Sequence, residues 1–140
     1  MGAKIKGAGT DVITIEGVEY LHSCKHMVLP DRIEAGTYLI AGALIGDNLT
    51  INKMIPEHIS SLTEKLKDIG FKMKIGKDYI TISKKDDLKP VQIKTLGYPG
   101  FPTDLQQPIT TLLTQIDGKS KLEETIYENR FQNVKYLSPN

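Results

Sequence analysis

Apolar residues alternate with polar ones in short runs, then shift to helical spacing, and the exchange between the two periods recurs along the chain. Lys4 to Ile5 and Val12 to Glu16 read as short strands around a Gly7-Ala8-Gly9 turn. His22 to Leu29 reads as a further strand ended by Pro30. Asp31 opens a helix through Leu44 that Gly46 stops, and Asn48 to Asn52 is a strand. Pro56 starts a helix to Ile69, with Gly70 as its stop. Phe71 to Ile75 and Tyr79 to Ser83 alternate around Gly76-Lys77-Asp78, which predicts a hairpin. Together these segments make a β-α-β-α-β-β unit.

The pattern then restarts. Val91 to Leu96 is a strand. Asp104 to Asp117 is a helix, with Leu105, Ile109, Leu112, Leu113 and Ile116 at helical spacing. Lys121 to Tyr127 is a strand and Arg130 to Leu137 a helix. Asp31 corresponds to Asp104, Gly46 to Gly118, Leu49 to Leu122, and Glu57-His58 to Asn129-Arg130. An offset of about 72 residues marks an internal repeat of supersecondary units, the second without its closing hairpin.

Composition narrows the classes. The 140 residues carry 39% hydrophobic side chains, enough for a core, and a net charge of +1. Interspersed charges of both signs argue against a nucleic-acid footprint, and Lys84-Lys85-Asp86-Asp87 reads as a solvated turn. One cysteine excludes an internal disulfide and fits a reducing compartment. No apolar run approaches the roughly 20 residues of a membrane span. No secretory leader pattern is visible, and Lys6 breaks the myristoylation template at Met1-Gly2. The expectation is a soluble cytoplasmic protein.

Candidate chemistry gathers after residue 97. In Tyr98-Pro99-Gly100-Phe101-Pro102-Thr103-Asp104, two prolines stiffen the approach to a carboxylate at a helix start, where Thr103 or Asp104 is placed to cap. The chain holds two arginines, Arg32 and Arg130, against sixteen lysines. Both fall at predicted helix starts, where the macrodipole disfavours a cation by a few tenths to roughly 1 kcal/mol. A guanidinium grips carboxylates and phosphates bidentately, as lysine cannot. The placement points to a shared anionic site.

Pro99-Gly100-Phe101-Pro102-Thr103-Asp104-Leu105-Gln106 and Glu128-Asn129-Arg130-Phe131, preceded by Leu29-Pro30-Asp31-Arg32-Ile33-Glu34-Ala35-Gly36-Thr37 and Gly7-Ala8-Gly9-Thr10, resemble UDP-N-acetylglucosamine enolpyruvyl transferases (carboxyvinyltransferases). The resemblance runs in order from Met1 to about Leu137. It implies an α/β fold of repeated βαβαββ units in an inside-out α/β barrel, incomplete in this chain, which would be an internal fragment. Residues 1–29 would end the first domain and carry the crossover strand. Residues 30–90 would form a complete unit of the second domain and 91–140 a truncated one, with the Ser138-Pro139-Asn140 end of unassigned status. A truncated unit leaves strand edges open, so self-association is expected.

The implied reaction transfers the enolpyruvyl group of phosphoenolpyruvate to the 3-hydroxyl of UDP-N-acetylglucosamine, the first committed step of peptidoglycan synthesis. Asp104 matches the family's hydroxyl-contacting aspartate and proposed general base; a helix start suits it to orienting the hydroxyl unless cleft closure desolvates it. Arg130 matches an active-site arginine, or else holds Glu128 or Asp104 in place. Ile126 matches an apolar residue whose backbone contacts the nucleotide sugar, or else is strand core. Arg32 faces the cleft, toward phosphate or an interdomain salt bridge. Asp31 and Glu34 read as helix-start acids. No cofactor is implied.

Cys24 is not the family's loop cysteine, since nothing around it matches Gly-Cys-x-x-Gly-x-Arg-Pro. His22, Cys24 and His26 share one strand face, but three ligands fall short of the four that a structural zinc site takes. Gly7-Ala8-Gly9-Thr10 reads as a turn, because no phosphate-loop lysine follows. The family's Lys-Asn pair for phosphoenolpyruvate and its arginine-rich stretch are also missing, so the chain alone is expected to be inactive. The alternatives are a shikimate-pathway enolpyruvyl transferase fragment and a non-catalytic truncated paralogue acting as a binding module.

Overall fold

The computed structural model describes residues 1–83 and 87–137. The expected turn at Lys84-Lys85-Asp86 and the Ser138-Pro139-Asn140 end lie outside the described residues. Strands β1 (Lys4–Lys6) and β2 (Thr14–Glu16) form an antiparallel hairpin with Lys4 opposite Glu16. Its turn closes as expected: Thr10 N–H donates to the Gly7 carbonyl at 3.0 Å.

The segment from His22 to Leu29 is not a strand. Residues 1 to 31 are all exposed, and those from 21 to 31 carry no regular structure. Alternating polarity marks a candidate, but a strand exists only through a partner for its backbone groups. Among the described residues the backbone bond to another segment is that of His22 N–H to the Met1 carbonyl at 3.1 Å, too little for a ladder, and Val28 lines a hollow with Leu49 and Ile51.

Helix α1 (Arg32–Ile45) starts where Asp31 caps it: Oδ1 accepts from Ile33 N at 2.7 Å and Glu34 N at 3.4 Å. Its inward face carries Ala35, Leu39, Ile40 and Ala43. Strand β3 (Leu49–Asn52) follows, then a 3-10 turn (Pro56–Ile59) that feeds α2 (Ser60–Ile69). Gly70 ends α2 at φ 118°, donating its N–H to the Leu66 and Lys67 carbonyls, a conformation that side chains disfavour. Strands β4 (Lys72–Ile75) and β5 (Tyr79–Ser83) form the expected hairpin, and β5 lies centrally in an antiparallel β3-β5-β4 sheet.

The second unit is less regular. Strands β6 (Gln92–Lys94) and β7 (Lys121–Glu123) pair in parallel, Ile93 opposite Leu122, across a helical crossover. That crossover is a 3-10 turn (Thr103–Leu105) and helix α3 (Gln106–Leu113), where one helix from Asp104 to Asp117 was expected. Pro108 has no N–H to bond the Asp104 carbonyl four residues back, so regular α-helix begins only at Gln106. Thr103 and Asp104 therefore cap nothing, and no side chain caps α3. The helix expected from Arg130 is reduced to α4 (Val134–Leu137), behind a turn that contains Asn129 at φ 55°.

The core joins both units. Leu39 and Ile40 of α1, Leu62 and Leu66 of α2, Ile80 and Ile82 of β5, and Leu105, Ile109 and Leu112 of the crossover are all essentially inaccessible. Each such side chain stabilises the fold by about 1.5–3 kcal/mol. Gly36 on α1 lets the crossover approach: a Cβ there would sit 2.6 Å from Leu105 Cδ1. The residue after Asp104 is thus seated against α1.

Candidate functional site

Asp104 stands on the 3-10 turn between Pro102, which is buried, and Leu105, which is fully buried. The preceding loop is anchored by Phe101, whose carbonyl accepts from Leu96 N at 2.9 Å, and by Ser61, whose hydroxyl donates to the Gly100 carbonyl at 3.2 Å. The Tyr98–Pro99 peptide in that loop is cis. A rigid platform thus carries an exposed carboxylate.

Arg130 meets it. Its Nη2 donates to Asp104 Oδ1 at 2.9 Å, with the arginine side chain 28% and the aspartate 53% exposed. Of the two acids expected as partners, Asp104 is the one engaged. The guanidinium also lies 5.0 Å from the Tyr127 ring centroid, and its Nε is buried without an acceptor among the described residues. Arg130 is on a turn rather than a helix start, so its cost there is not the macrodipole's but that of an unmatched donor.

Arg32, Tyr98, Thr103, Asp104 and Ile126 line one small cleft of about 120 Å³. Arg32, the first residue of α1, stacks with its guanidinium carbon 5.5 Å from the Tyr98 ring centroid, within cation–π range. It has no carboxylate partner among the described residues. Arg130 reaches the same cleft through Asp104. A larger hollow of about 450 Å³ beside Tyr38, Leu49 and Met54 lies elsewhere and contains none of these groups. The smaller cleft is the candidate site, because it joins an acid, a guanidinium group and an aromatic ring, with Arg130 bonded to that acid.

Glu124 was not foreseen from the sequence. Its Oε1 accepts from Thr95 Oγ1 at 2.9 Å, Ile126 N at 2.8 Å and Tyr127 N at 3.2 Å, and its Oε2 accepts from Thr103 Oγ1 at 2.8 Å. Thr95 is fully buried and in turn accepts from Thr125 N at 2.9 Å, while Thr125 Oγ1 donates to the Thr95 carbonyl. Desolvation pushes the Glu124 carboxyl up, but bonds from Thr103, Ile126, Thr95 and Tyr127 together outweigh it and hold the group below the usual carboxylate range. The same bonds explain why the strand expected to reach Tyr127 stops at Glu123: the carboxylate takes the next backbone donors out of the ladder. A signal existed. Adjacent Glu123 and Glu124 in one strand must place a carboxylate on the inward face, where it needs donors.

Together these groups place a carboxylate at the mouth of a parallel β-α-β crossover, with Arg130 paired to it and Arg32 of α1 across one small cleft. The family profile described as EPSP synthase (3-phosphoshikimate 1-carboxyvinyltransferase) matches residues 1–138, and the chain belongs to that family. It is 55% identical over 137 residues to UDP-N-acetylglucosamine 1-carboxyvinyltransferase 2 of Geobacillus kaustophilus and 54% identical over 138 residues to the same-named protein of Bacillus subtilis. Each comparison takes in 98% of this chain and 32% of the relative, so the chain spans about a third of their length. The crystal structure of the enolpyruvyl transferase NikO from Streptomyces tendae superposes with a TM-score of 0.83 at 26% identity, over 97% of this chain and 33% of that one.

Proposed function

We propose that this chain supplies the acid-and-arginine wall of the substrate cleft of a UDP-N-acetylglucosamine enolpyruvyl transferase. The net reaction joins the sugar 3-oxygen to C2 of phosphoenolpyruvate. The hydroxyl proton passes to a base and inorganic phosphate leaves. The observation that carries the reading is the Asp104–Arg130 pair at 2.9 Å beside a cleft that Arg32 and Ile126 also line. Support for the nucleotide sugar comes from the names of the Geobacillus and Bacillus relatives, at 55% and 54% identity.

In this reading Asp104 takes up, or at least orients, the 3-hydroxyl proton, and Arg130 holds that carboxylate and offers cationic charge to the substrates. The Ile126 N–H is committed to Glu124, so its carbonyl is the backbone group left to the sugar. Arg32, without an acid partner among the described residues, faces phosphate. Residues 1–29 would close one domain and residues 30–140 open the next, with the cleft between them; the uniform exposure of the first 31 residues supports that division. The product feeds peptidoglycan synthesis in the cytoplasm. The outer edges of β6 and β7 are unpaired among the described residues, which supports pairing with a second copy.

Two measurements test this. With both substrates present, the chain alone releases no phosphate; turnover would sink the claim that it is one wall of a larger site. Calorimetric titration should show weak heat with UDP-N-acetylglucosamine and less with shikimate 3-phosphate. The reverse preference would favour the shikimate-type reading, to which the family's description also points.

A further inference from the structure

We propose that Glu124 is the positioning residue of this site, locking the turn from Ile126 to Arg130 against Thr103 so that Arg130 meets Asp104. The consequence for substrate rests on the function proposed above; the structural part does not.

The four donors to Glu124 come from three separate segments. Thr95 follows β6, Thr103 opens the 3-10 turn, and Ile126 and Tyr127 begin the turn after β7. Two of these donors neighbour the ion pair directly. Thr103 immediately precedes Asp104, and the Tyr127 ring lies under the Arg130 guanidinium at 5.0 Å. Apart from the ion pair itself, the Thr103–Glu124 bond at 2.8 Å is the polar link between the two segments among the described residues. One carboxylate therefore fixes both sides of the gap that the pair spans. A single contact between partly exposed side chains is a weak organiser by itself. Four bonds to one half-buried carboxylate are a strong one.

The same geometry says which replacement keeps the function. In Glu124→Gln the amide oxygen retains the three bonds of Oε1, and the amide NH₂ donates to a Thr103 hydroxyl that rotates to accept. In Glu124→Ala all four donors lose their acceptor, including the buried Thr95 hydroxyl.

Nuclear Overhauser contacts in the 140-residue chain give the test, read between the Arg130 and Tyr127 side chains on one side and Thr103 and Asp104 on the other. Amide exchange at Leu39, Leu66 and Ile80 reports the core in the same samples. In Glu124→Ala the cross-turn contacts should vanish while core protection stays at the parental level, and Glu124→Gln should restore them. Thr103→Val removes only the link between segments and should weaken the contacts with the core unchanged, which decides the matter even if the alanine variant does not fold. Contacts that persist in the alanine or valine variant would overturn the proposal. So would loss of core protection in parallel with loss of the contacts in every variant, since Glu124 would then be acting on the fold at large. No substrate enters the experiment, so its failure leaves the nucleotide-sugar reading to be judged by titration.

Discussion

Replacing Arg130 with methionine should hardly change stability, and the reason is a balance of small terms. The ion pair with Asp104 is 2.9 Å long, but its side chains are 28% and 53% exposed. Pairs of that kind are worth about 0.2–1 kcal/mol. Stacking over Tyr127 adds about 0.5–1 kcal/mol at a partly exposed position. Against this stands the buried Nε without an acceptor among the described residues, a loss of about 1–3 kcal/mol. Methionine removes both sides of that balance and keeps an unbranched stem over the ring. The expected change lies within about 1 kcal/mol of zero, a shift of the urea midpoint of less than about 0.5 M for a domain of this size. Circular dichroism against urea measures it. A loss above about 2 kcal/mol would refute the reasoning, because Arg130 would then be holding the fold together instead of standing ready for a ligand.

Three further outcomes follow from the structure. Leu105→Ala, at a fully buried position against Gly36, should cost about 2–5 kcal/mol in the same denaturation assay. Gly70→Ala forces a side chain into φ 118° at the end of α2 and should cost about 1 kcal/mol or more, read as a lowered Tm. Glu124 is held below the usual carboxylate range, so the folded chain favours its ionised form. Its contribution should be complete above about pH 5, near and beyond the unfolded glutamate value of about 4.3, and should fall away as pH drops through the depressed folded value. The stability gap between the parent chain and Glu124→Gln, measured by urea denaturation from pH 7 to 3, should narrow on acidification; a gap that widens contradicts the assignment.

The first unit was readable because its signals are local. Asp31 caps α1, Pro56 and Gly70 bracket the second helical segment, and alternation marks β4 and β5. The strand expected at His22 to Leu29 was not readable as absent, since pairing is a property of what surrounds a segment. In the second unit, one missing N–H at Pro108 and one carboxylate at Glu124 redraw two boundaries, the start of α3 and the end of β7, and neither acts through periodicity. The repeat also misleads about roles: Asp31 is a helix cap, while its counterpart Asp104 caps nothing and pairs with Arg130. Scarcity of arginine drew attention to Arg32 and Arg130, and resemblance singled out Asp104, Arg130 and Ile126. Arg32, Asp104 and Ile126 do line one cleft. Glu124, which ties that cleft to the turn carrying Arg130, was hidden in what looked like an ordinary strand.

The most direct test of the central claim is an amide chemical-shift titration of the ¹⁵N-labelled chain with UDP-N-acetylglucosamine up to millimolar concentration. The account expects fast-exchange shifts that grow with ligand and cluster at Arg32, Thr103, Asp104, Ile126 and Arg130, with smaller ones from shikimate 3-phosphate. Shifts centred on the larger hollow at Tyr38 and Met54, or none around Asp104 and Arg130, would contradict it.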